Sequence, residues 1–147
     1  NGDVKDPQDA IRMMSETGCD GVMAGRIAIS NPWALARLSA CLAGQPMPPP
    51  PTLAERIETA LEHLRTMIQL EQDAAPADAE RPTCEQWAVR SLRGQLPLYI
   101  KGEPGAAEAR NRLTKCSTYA EVEDELRSFE LSLNAKADVR GAPLSRP

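Results

Sequence analysis

Two short loops near the start of the chain hold the residue types that grip a phosphate. Asn1-Gly2-Asp3 opens the sequence, and Gly25-Arg26 follows the apolar triplet Val22-Met23-Ala24. Glycine lets a backbone approach a ligand closely, so that exposed N–H groups point at an anion. Arg26 adds a permanent charge, and a guanidinium can hold phosphate through two parallel hydrogen bonds. Taken singly, each loop is equally an ordinary strand-to-helix turn, with Arg26 a surface residue. Together, at the ends of what the pattern makes successive strands, they point to phosphate binding. A second signal lies further on. Arg81, Arg90, Arg93, Lys101, Arg110, Arg112 and Lys115 face only Glu85, Glu103 and Glu108 in the same stretch. The whole chain has a formal net charge of -4, so this segment is basic within an acidic protein. Such asymmetry suits an anionic partner, although a solvated helix face has the same composition.

The elements that must position these residues change character along the chain. Asp6-Pro7 starts a helix with a cap and a proline at its first position, and Thr17-Gly18 ends it. Val22-Met23-Ala24 is short and apolar, as a buried parallel strand is. Asn31-Pro32 then opens a second helix through Trp33, Leu35, Leu38 and Leu42. This alternation predicts an α/β class, the last strand–helix units of a (β/α)₈ barrel. A barrel's closing loops often build a phosphate site. The prolines between Gly44 and Pro51 exclude helix and predict an extended, semi-rigid linker.

Beyond the linker the pattern is helical. Thr52 with Glu55, Thr83 with Gln86, and Thr118 with Glu121 have capping-box spacing. Leu53, Ile57, Leu61, Leu64 and Ile68 share one helical face, and Leu126, Phe129 and Leu133 share another. Asp73 to Pro82 is a polar loop, and periodicity is lost from about Ala135. The predicted organisation is therefore a barrel end over 1–44, a linker over 45–51, an all-α helical bundle over 52–134 and a disordered tail over 135–147.

Bulk properties narrow the classes. The chain has 147 residues, whereas a complete barrel needs roughly 250, so the reading is of part of a larger protein. No apolar run approaches the ~20 residues of a membrane span. Cys19, Cys41, Cys84 and Cys116 are scattered without a CxxC pair, which argues against a metal site or a disulfide framework and fits a reducing cytoplasm. His63, the single histidine, falls on the polar side of its helix and reads as solvated.

The run NGDV, then DPQDAIRMMSETGCDGVMAGR, then AISNPW, resembles the end of the flavin barrel of bacterial tRNA-dihydrouridine synthases. VRSLRGQLPLYIKGEPGAAEARNRL followed by STYAEVEDEL is similar to that family's C-terminal RNA-binding helical domain, with its Tyr-x-Lys-Gly-x-Pro-Gly segment. The resemblance implies an oxidoreductase that reduces the C5–C6 double bond of uridine in tRNA. Hydride passes from NAD(P)H to FMN and then to the base. It places Asn1, Gly2, Asp3, Gly25 and Arg26 around the flavin mononucleotide and its phosphate. It makes Arg90, Arg93, Lys101, Arg110, Arg112 and Lys115 contacts to tRNA phosphates, which set position and not sequence. The family's proton-donating cysteine sits on an earlier barrel loop, and none of the four cysteines here has that context. No catalytic residue is therefore assigned, and the chain alone is expected to be inactive. A monomer without metal is expected.

The chain departs from the family at Gln95, where many relatives have His, and at Leu98, where they have an aromatic. Pro97 interrupts a stretch that is usually helical and predicts a kink. Tyr99 suits either base stacking or the bundle core. Two rivals remain: another phosphate-binding barrel flavoenzyme, and a non-catalytic helical RNA-binding module.

Overall fold

The computed structural model describes residues 4–75 and 81–141. Its elements are all helical: α1 (Pro7–Thr17), α2 (Arg26–Ser30), α3 (Ala34–Leu42), α4 (Leu53–Ala74), α5 (Arg81–Leu92), a 3-10 turn (Leu96–Leu98), α6 (Ala106–Leu113) and α7 (Tyr119–Gly141). Two compact units divide between Thr52 and Leu53. None of the helices among the described residues is long and apolar enough to cross a membrane.

The expected α/β class is corrected here. Among the described residues there is no strand or sheet, so no strand–helix unit of a barrel is present. Val22-Met23-Ala24 is irregular chain. A strand exists only through a paired neighbour, and this segment has none among the described residues. It keeps the alternation of a half-buried strand. Val22 and Ala24 lie on the small cluster of Val4, Ala10 and Leu38, while Met23 is 65% exposed. The apolar triplet is thus neither a strand nor fully buried.

Local signals in the first unit act as their chemistry requires. The Asp6 carboxylate accepts from the Gln8 and Asp9 amides at 2.8 and 3.1 Å, and Asp9 accepts from the Asp6 amide at 3.3 Å. Pro7 loses no needed bond at the first helical position. Gly18 ends α1 at φ +68°, a conformation that glycine adopts without a Cβ penalty. After α3, residues 45–52 are irregular, and the Arg37 guanidinium donates to the Pro48 carbonyl at 2.7 Å.

In the second unit α4, α5, α6 and α7 close over one core. Ile57, Leu61 and Leu64 on α4 are fully buried against Val89, Leu96, Ile100, Leu113, Val122 and Leu126. Gly102 and Gly105, both in the Tyr99–Gly105 segment, have φ of +92° and +82°. That left-handed backbone turns the chain from the 3-10 turn into α6. Other expectations shift. α5 already begins at Arg81, so Thr83 and Gln86 lie inside it and not at its cap. No kink forms at Pro97: α5 has ended at Leu92, and Pro97 is buried in the separate 3-10 turn. Residues 135–141 continue α7.

The third capping box is formed. Glu121 accepts from the Ser117 and Thr118 amides at 2.6 and 3.2 Å, and the Thr118 hydroxyl accepts from the Glu121 amide at 3.3 Å. Those amide bonds hold the Glu121 carboxyl below the usual carboxylate range. Folding lowers this pKa, so the unfolded chain binds the extra proton and stability rises with pH. The contribution is complete above the usual carboxylate range and is lost as pH falls through the lowered folded value. Urea unfolding of wild type and Glu121→Gln should therefore differ at neutral pH and converge in acid.

Candidate nucleic-acid interface

The basic segment of the second unit is split by its packing into committed and uncommitted cations. Arg93 lies just beyond α5, and its guanidinium donates to the Cys116 carbonyl at 3.1 Å. Its Nε is buried without a partner among the described residues. Arg112 on α6 donates through Nε to Glu125 on α7 at 2.7 Å. These two serve the fold. Arg90 on α5, Lys101 after the 3-10 turn, Arg110 on α6 and Lys115 before α7 are exposed, with no side-chain partner among the described residues. The Arg93 bond sets the end of α5, and with it Arg90, against the loop that carries Lys115.

Three arginines elsewhere in the unit are neutralised, while Lys136 on α7 is exposed. Arg56 pairs with Glu103 and donates to the Lys101 carbonyl at 3.3 Å, which ties α4 to the turn. Arg127 is bracketed by Glu58, Glu123 and Glu130. Arg65 pairs with Glu62 and lies 5.3 Å from the Tyr119 ring centroid. An exposed pair of this kind adds little stability but cancels charge locally. Among the described residues of the unit, the open positive charge lies on the Arg90–Lys115 stretch and at Lys136.

Of the three carboxylates between Arg81 and Lys115, Glu103 pairs with Arg56 and Glu85 is turned elsewhere. Glu85 on α5 accepts from the Tyr119 amide at 2.7 Å, at the first turn of α7. A carboxylate there satisfies an orphan donor and meets the positive end of the helix dipole. Glu85 and Arg93 thus hold the loop between α6 and α7 from both sides. Sequence spacing did not expose this clamp, since its partners are backbone atoms distant along the chain.

Two single-residue expectations resolve. Tyr99 packs against the core, and its hydroxyl lies 3.0 Å from His63 Nδ1. Burial pushes the Tyr99 phenol up. His63 is accordingly half-buried and partnered, which corrects its reading as solvated. Cys116 is buried, its thiol donates to the Arg112 carbonyl at 3.5 Å, and burial together with Glu121 and Glu125 raises its pKa.

In the first unit, Gly25 precedes the short helix α2 and Arg26 is its first residue. Both are exposed, and no side chain caps that helix. Asn1, Gly2 and Asp3 lie outside the described residues. Gly25 and Arg26 belong to the first unit and the cationic stretch to the second.

The sequence model of the dihydrouridine synthase family matches residues 1–136. The chain belongs to that family. It is 36% identical over 123 residues to a probable tRNA-dihydrouridine synthase of Mycobacterium leprae, covering 84% of this chain and 29% of the relative. It is 35% identical over 118 residues to tRNA-dihydrouridine synthase B of Xanthomonas axonopodis, covering 80% and 32%. A probable tRNA-dihydrouridine synthase of Aquifex aeolicus is 29% identical over 122 residues, covering 83% and 33%. The chain spans about a third of the length of these curated relatives. In this dihydrouridine synthase chain, then, the basic stretch from Arg90 to Lys115 is held by two cations and displays four.

The division has a stability signature. Arg93→Ala removes a charge-assisted bond to a backbone carbonyl and should cost about 1–3 kcal/mol. Arg90→Ala touches nothing and should stay within about 0.5 kcal/mol of wild type. Urea denaturation midpoints of the two variants check both values.

Proposed function

We propose that this chain is the RNA-binding part of a flavin-dependent tRNA-dihydrouridine synthase. On this reading the whole protein is a cytoplasmic monomer that reduces uridine to 5,6-dihydrouridine in tRNA, with FMN as carrier and NAD(P)H as reductant. The observation that carries the reading is the uneven use of charge. In a chain of net charge -4, Arg90, Lys101, Arg110 and Lys115 stand exposed without side-chain partners among the described residues, while Arg12, Arg56, Arg65 and Arg127 pair with carboxylates. Exposed, unpaired Arg and Lys are what phosphate contacts use, and each one engaged displaces a condensed counterion. The matched relatives, tRNA-dihydrouridine synthases by name, point the same way.

FMN, when bound, supplies the hydride. The residues present here fit the phosphate end of that group. A Cβ built at Gly25 meets nothing within 4 Å, so a ligand can come close to the backbone there. The start of α2 has no side-chain cap, and Arg26 is its first residue. Asn1, Gly2 and Asp3 are assigned to the same cofactor from the family resemblance. The chain by itself binds RNA without reducing it. What supports this is the family resemblance, which puts the proton-donating cysteine on an earlier barrel loop, a context that none of the four cysteines here has.

The test is tRNA binding across a salt series. Affinity should fall linearly with log salt, and each Ala substitution of Arg90, Lys101, Arg110 or Lys115 should reduce the slope by about one contact. Absence of tRNA binding, or binding insensitive to salt, would overturn the reading.

A further inference from the structure

Helix α5 turns a face to solvent that neither the core nor the loop clamp uses. Ala88, Val89 and Leu92 are buried in the core, and Glu85 is engaged by the Tyr119 amide. What remains outward is Thr83, Gln86, Trp87, Arg90 and Ser91, all exposed. Trp87 stands out. Tryptophan is on average among the most buried residue types, yet this one is 52% exposed and its indole N–H has no partner among the described residues.

Its surroundings indicate what covers it. Trp87 and Arg90 are three residues apart on one helix, so their side chains emerge side by side, with about 5–6 Å between Cβ atoms. Arg90 is exposed and unpaired among the described residues. Among those residues no carboxylate of α5 stands on that face, because Glu85 is the helix's one carboxylate and it is turned to α7. The other exposed neighbours are Thr83, Gln86 and Ser91. An apolar protein partner would need a wider patch than one indole ringed by polar residues. A flat aromatic face beside an open cation matches a nucleotide: a base to stack on, and a phosphate to hold.

We propose that Trp87 is a stacking platform for an unpaired base of RNA, with Arg90 on the adjoining phosphate. This rests on the RNA-binding reading above and adds that the recognised element is single-stranded. Bases inside a duplex already cover their faces with one another, so only a loop, an end or an extruded nucleotide can lie on the indole.

Fluorescence of the 147-residue chain decides it, since Trp33 and Trp87 are its two tryptophans. Trp33→Phe leaves Trp87 as reporter, and Trp87→Phe provides the Trp33 signal for subtraction from wild type should the first variant misfold. Oligouridylate and tRNA should quench Trp87 emission, and an RNA duplex of the oligouridylate's length should not. Trp87→Ala, with helical circular dichroism unchanged, should bind oligouridylate roughly tenfold more weakly at an unaltered salt slope. Trp87→Phe should recover most of that loss, and Arg90→Ala should instead flatten the slope. RNA binding with Trp87 emission unchanged, equal quenching by duplex, or wild-type affinity in Trp87→Ala would overturn the stacking site alone. A change in Trp87 emission driven only by the chain's own concentration would do so too, by showing self-association. If the parent chain binds neither tRNA nor oligouridylate, the RNA-binding reading fails and the stacking site fails with it.

Discussion

Helix α5 holds the loop between α6 and α7 at two points with opposite charges. Arg93 takes the Cys116 carbonyl and Glu85 takes the Tyr119 amide. The signs suit the backbone they meet, a cation on an acceptor and a carboxylate on the donor end of a helix. Cys116 adds a buried side chain to the core from within the same loop, and Val122 and Leu126 follow on α7. Backbone polar groups in a loop this close to the core need partners, and α5 supplies them. The helical unit closes over its apolar residues because that loop is fixed.

The same commitment shapes the surface. Spending Arg93 on a carbonyl and Arg112 on Glu125 removes two cations from the basic segment. Turning Glu85 inward removes the carboxylate that would have neutralised α5. Around Arg127 the opposite happens, since three glutamates bracket one guanidinium. Positive charge is left open on the stretch from Arg90 to Lys115 by how the loop is held, as much as by composition.

Much of the helical unit was legible in the residues. Ile57, Leu61 and Leu64 follow the helical period, and the Thr118–Glu121 box forms, because these signals act within a turn or two of chain. Gly102 and Gly105 show why the Lys-Gly-x-Pro-Gly segment has that form: both residues need positive φ. Misreadings arose where the outcome depends on distant chain. Val22-Met23-Ala24 has the pattern of a strand, but a strand needs a partner that pattern cannot supply. Thr83 and Gln86 have the spacing of a cap, yet the helix starts before them. His63 looked solvated by its helical position, and its partner Tyr99 comes from a segment that lies against it only after folding. For the interface, the cations were visible as a group. Which of them are free was not, because that turns on carbonyls and carboxylates brought from α6 and α7.

The account's central claim is that α5, the turn after it and the α6–α7 loop present one RNA-facing surface. Ultraviolet crosslinking of tRNA to the 147-residue chain, followed by peptide mapping, tests it most directly. Adducts should fall on the peptides carrying Trp87 and Arg90, Lys101, Arg110 and Lys115, and not on those carrying Glu58 and Arg127. Adducts spread evenly over the chain, or concentrated on α4 and the middle of α7, would contradict it.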